Sequence, residues 1–178
     1  GLVRVEERRP APDAERAPAL SLAGLGSLGN RYWIILALGS VITLGRFSEA
    51  FLVLRGQQLG LPMAWVPAVI LVMSLVYAAS AYPAGLAARY WSRRTLLATG
   101  LAVLIGADLV LASADGIVLV LAGAALWGLH MGLTQGLLAA LVADAVPPER
   151  TGTAFGVFHL ATGVFLLLAS ALAGLVWD

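Results

Sequence analysis

Residues 85–94, GLAARYWSRR, set three arginines between two stretches that are almost free of charge. Residues 65–86 are apolar apart from Ser74, Tyr77, Ser80 and Tyr82, and residues 95–113 carry only Asp108. Each flank is about 20 residues long, enough for a helix to cross roughly 30 Å of hydrocarbon. A connection this short makes the two helices antiparallel neighbours, and Arg89, Arg93 and Arg94 place it on the cytoplasmic side.

The rest of the composition agrees. Hydrophobic residues make up 60% of the 178 positions and charged residues 12%, with a mean hydropathy of +0.91. A soluble domain of this size needs more charge on its surface. Lipid offers backbone groups no partners, so the spans must be helices or closed barrels, and the absence of period-2 alternation selects helices. There is no cysteine, which excludes disulfides and thiolate metal sites.

The fold class expected is an all-α integral membrane protein of five transmembrane helices. Residues 1–30 form a cytoplasmic lead-in and residues 31–178 the transmembrane domain, with helices near 33–54, 63–87, 95–113, 117–142 and 151–177. The charge-mixed, proline-containing residues 1–18 read as disordered linker and do not read as a signal peptide. Residues 20–30 carry leucines at helical spacing and read equally as a surface helix or a flexible approach. The first residue is Gly1, so the chain is expected to be processed, cut from something longer, or to carry a scar. Nine of the eleven arginines fall inside when the N-terminus is cytoplasmic; Arg55 alone lies outside, and Arg46 lies in the membrane.

Arg46 and Glu49 are the most informative charges. On a continuous helix they are i,i+3 neighbours sharing a face with Thr43. An unpaired charge at that depth costs about 2.5 kcal/mol even on the mildest scale, so this face should look into protein or water. It reads either as a substrate or proton-coupling site or as a structural ion pair. On the fourth span, Gly128, Gly132 and Gly136 form a small-residue stripe for a neighbouring helix. His130 lies on another face and Gln135 borders the stripe. His130 reads as a packing residue or a cavity group, and no second ligand at i+3 or i+4 implies a metal. Gly152 and Gly156 open the fifth span as a second close-approach pair. Beyond them Phe155, Phe158, His159, Thr162 and Phe165 trace an aromatic-polar strip.

Two stretches carry a family resemblance. Gly85-x3-Arg89-x3-Arg93-Arg94 is similar to a loop motif of the major facilitator superfamily, placed between its helices 8 and 9. Asp144-x2-Pro147-x2-Arg150-x-Gly152-x3-Gly156 resembles its helix 10–11 turn, and Arg46–Leu52 resembles helix 7 of bacterial efflux members. The resemblance covers about residues 20–178 as helices 7 to 11, and implies part of the second half of a secondary transporter. Arg89 stands where the family has an acid, so that gate interaction is altered.

The resemblance implies efflux of a small molecule coupled to proton influx across a bacterial inner membrane. Glu49 would be the proton-linked group, with His130, Gln135 and His159 as further cavity groups. The alternative is a non-transporting scaffold or assembly subunit of a larger membrane complex. Either reading calls for a further membrane subunit or the missing first half as a partner, besides the bilayer. No enzyme constellation, cofactor loop or nucleic-acid surface is legible.

Overall fold

In a computed structural model, the structure describes residues 25, 26, 28–46 and 48–176. The lead-in over 1–18 and most of residues 20–30 lie outside the described residues. Six α-helices run in order: α1 (Gly29–Leu44), α2 (Ala50–Gln58), α3 (Val66–Ala87), α4 (Arg93–Ala112), α5 (Ile117–Ala143) and α6 (Thr151–Leu175). Short 3-10 turns at Met63–Trp65 and Pro148–Arg150 lead into α3 and α6. No strand occurs among the described residues. Among the described residues, four helical stretches are long and apolar enough to cross a membrane: Met63–Ala87, Arg93–Ala112, Ile117–Ala143 and Pro148–Leu175.

The boundaries follow local chemistry. Ser92 caps α4 by accepting from the Thr95 N–H at 3.1 Å. After α2, Gly60 adopts φ +86°, a left-handed conformation that glycine takes without steric cost. Its neighbours close the end with bonds from Gly60 N–H to Gln57 O at 3.0 Å and from Leu61 N–H to Gly56 O at 2.9 Å. Arg55 reaches across to the end of α4, donating to Leu111 O at 3.3 Å and Ala114 O at 2.9 Å. A cation at this C-terminal end of α4 complements the helix dipole.

The expected continuous helix over 33–54 is a correction. The chain leaves helical geometry after Leu44 and resumes it at Ala50. Gly45 is a poor helix former, and serine side chains compete for nearby backbone groups. Here the Ser48 hydroxyl takes the Ala50 N–H at 3.4 Å. The break survives because its donors find other acceptors. Gly45 N–H bonds Val41 O, Arg46 N–H bonds Thr43 O, and Ser48 N–H bonds the Ser170 hydroxyl of α6 at 3.2 Å. At Pro83, where a kink was expected, α3 continues four residues further to Ala87.

Packing divides into two cores. One joins α2, α3, α4 and α5 around Leu52, Val69, Met73, Leu104 and Trp127. The other joins α1, the end of α5 and the start of α6 around Tyr32, Ile35, Val142, Ala154 and Phe158. The Tyr32 hydroxyl, fully buried, pins α1 to α6 through Ala154 O at 2.8 Å. Within the first core α5 lies directly on α3. A Cβ on Gly128 would overlap the Met73 carbonyl, and one on Gly132 would overlap the Ser80 hydroxyl. The stripe works there as expected, but only in part. Gly136, Gly152 and Gly156 have nothing within 4 Å of an added Cβ, so the expected close approaches at these three are not made by the described residues.

Three consequences can be measured. Gly128→Leu forces α5 off the α3 backbone and should cost about 1–3 kcal/mol, read as a lower unfolding temperature in detergent. Gly106→Ala, in open space on α4, should instead be neutral or raise stability by up to about 1 kcal/mol. Tyr32→Phe should destabilise by about 1 kcal/mol through loss of the buried bond to Ala154 O, with faster amide exchange at the start of α6.

Candidate functional site

The break in the first span carries Arg46 out of the helical ladder and into a cavity between the two cores. Its volume is about 440 Å³, and its lining includes Thr43, Arg46, Tyr77, Gln135, Phe155 and His159. Four elements supply these groups: the end of α1 and the break, the middle of α3, the inner half of α5 and the first turns of α6. Arg46 is the only charged residue in the lining, and its Nε is buried without a hydrogen-bond partner. His159 stacks on Phe155, with centroids 6.0 Å apart, and meets Phe158 edge-on at 5.8 Å.

Three of the five residues singled out for substrate or coupling therefore come together: Arg46, Gln135 and His159. Glu49 does not join them. It sits at the N-terminal cap position of α2, outside the lining, and no ion pair joins it to Arg46 among the described residues. The expected i,i+3 couple required continuous helix, which the break removes. Glu49 remains near enough for its charge to act on Arg46 through space.

His130 is buried completely in α5, away from the cavity lining. Its Nδ1 lies 2.8 Å from Gly100 O of α4. A carbonyl can only accept, so Nδ1 carries the proton. This is a helix-to-helix packing bond. Thr134 reinforces the position, its hydroxyl donating to His130 O at 2.8 Å. Two lining residues, Tyr77 and Thr43, had no functional weight in the sequence. Their signal was only a polar group at helical spacing inside an apolar run.

The loop-motif residues gather at one end of the bundle. Arg93 donates to Asp144 at 2.6 Å, tying the start of α4 to the end of α5. Both side chains are nearly half exposed, so the pair marks geometry more than it adds stability. Arg94 flanks it, and Arg89 lies exposed in the turn after α3. Arg150 closes the 3-10 turn that opens α6. Gly85 lines a narrow groove between α3 and α5 together with Gly132 and Gly136.

Comparison with known proteins places this architecture. The family model described as Major Facilitator Superfamily matches residues 2–176. An uncharacterized MFS-type transporter of Methanocaldococcus jannaschii is 27% identical over 163 residues, covering 86% of this chain and 40% of that protein. An uncharacterized protein of Mycobacterium bovis is 26% identical over 184 residues, covering 99% of this chain and 44% of its own length. The chain thus spans less than half the length of these relatives, and no solved structure matches it. A match to nearly every residue, on a helical bundle with the expected order of spans, assigns the chain to the major facilitator superfamily.

Proposed function

We propose that this chain forms one wall of the substrate cavity of a secondary active transporter that performs proton-coupled efflux of a small molecule across a bacterial inner membrane. The observation that carries the reading is the cavity itself. An arginine, a glutamine and a histidine from three separated stretches converge on one space among apolar helices. Charged groups at that depth are costly and are kept where they face substrate, ions or water. The remaining membrane helices of the transporter close the open side, against which Gly152 and Gly156 offer close approach.

Coupling is assigned to Glu49. Its carboxylate acts on Arg46 from outside the lining, so a proton on Glu49 removes the charge that competes with a bound molecule for the guanidinium. Loading of the cavity and protonation then bias the same two packings, and the shift is limited to the difference in binding between them. The N-terminus and the turn bearing Arg93 and Asp144 face the cytoplasm, supported by the arginine bias.

Glu49→Gln in the reconstituted full-length transporter should abolish the response of flux to a pH gradient while leaving substrate binding within about threefold. An unchanged response removes Glu49 from the coupling. Sidedness can be read cleanly because the chain has no cysteine. In right-side-out vesicles Asp115→Cys should react with an impermeant maleimide and Glu149→Cys should not. The reverse pattern overturns the orientation.

A further inference from the structure

We infer that the cavity at Arg46 takes an organic anion, a carboxylate or similar acid carried on a flat apolar or aromatic body. The inference rests on the proposal that this cavity is the substrate site, and it adds the chemical class. Arg46 supplies the positive charge of the lining, and its Nε has no hydrogen-bond partner. Glu49 stands outside the lining, and the other buried acid, Asp108, lies in a separate outer pocket with Arg55.

The remaining polar groups sort by what they can still offer. Thr43 and Thr162 spend their hydroxyl protons on Gly39 O and Phe158 O, both at 2.8 Å. The carbonyls of Val41 and Thr43 at the end of α1 are taken by the N–H groups of Gly45 and Arg46, so they do not await a cation. The side chains of Tyr77, Gln135 and His159 make no hydrogen bond among the described residues, and each can donate one. A guanidinium, an amide, a phenol and an imidazole therefore face the space with donors unspent. Charge-assisted bonds from such donors to a carboxylate are about twice as strong as neutral ones. The apolar part has its own surface in the stacked Phe155 and His159 and the edge of Phe158.

The test uses the full chain in lipid nanodiscs, with empty nanodiscs as the background for partitioning. Three fluorinated probes of matched shape are titrated by fluorine NMR: 4-(trifluoromethyl)benzoate, the corresponding benzylamine and the corresponding benzyl alcohol. The expected result is benzoate binding at least tenfold tighter than either of the others. Arg46→Gln should weaken benzoate at least tenfold, Arg46→Lys should keep the preference for the anion, and Gln135→Leu should weaken it about threefold. Circular dichroism and melting of each variant check that the fold is retained. If the amine or the alcohol binds as tightly as benzoate, or Arg46→Gln leaves benzoate unchanged, the anion inference falls and the cavity stands. If no probe binds above the empty nanodiscs, the cavity reading fails and this inference goes with it.

Discussion

The guanidinium of Arg46, its Nε buried among apolar helices, sets the terms for this fold. Arg46 cannot face acyl chains without a cost of about 2.5 kcal/mol or more, and on a straight helix its position would be fixed by the 100° step from Thr43. Breaking the helix changes that. The break leaves backbone donors unsatisfied, however, and in a membrane each must find a partner inside the protein. The Ser170 hydroxyl on α6 accepts from Ser48 N–H, and the last carbonyls of α1 fold back onto Gly45 and Arg46. The charge and the break are mutually dependent, since the irregular backbone is tolerated where it lines a cavity.

That dependence explains why there are two cores. The segment before the break packs with α6 and is pinned by Tyr32 to Ala154. The segment after it packs with α3 and α5 and is anchored by Arg55 to the end of α4. A continuous helix would couple these bodies rigidly; a five-residue interruption lets each satisfy its own packing. The cavity lies where the two meet, so its lining is drawn from both. His130 and Thr134 stay on the other side of α5, where they bind α4 and leave Gln135 turned toward Arg46.

Much of the architecture was legible as lengths of apolar chain between chemical stops. Pro62, Ser92, Gly116 and the Pro147–Pro148 pair stand at the starts of the helical stretches Met63–Ala87, Arg93–Ala112, Ile117–Ala143 and Pro148–Leu175. The break was not legible, because Arg46 and Glu49 also suit a helical face and the local cost of Gly45 and Ser48 is small. The partner that decides the matter, Ser170, lies 122 residues away. The same holds for the site. Arg46, Gln135 and His159 each stood out as polar groups in apolar runs, but only the packing of α1 on α6 brings them together. Glu49 stood out for the same reason and falls outside.

The glycines carry the argument one step further. One stripe on α5 has two fates: Gly128 is taken up by the backbone of α3 and Gly132 by its Ser80 side chain, while Gly136, one turn on, is left open beside the cavity. Sequence spacing treats the three as equivalent, yet helices that cross at an angle touch over a limited length and then diverge. The divergence creates the volume that Arg46 enters. A Cβ added at Gly136 meets nothing within 4 Å among the described residues, so this position leaves room beside the cavity. Tight contact at Gly128 and Gly132 is therefore the condition for open space at Gly136, and the packing of α3 on α5 shapes the site without contributing charge to it.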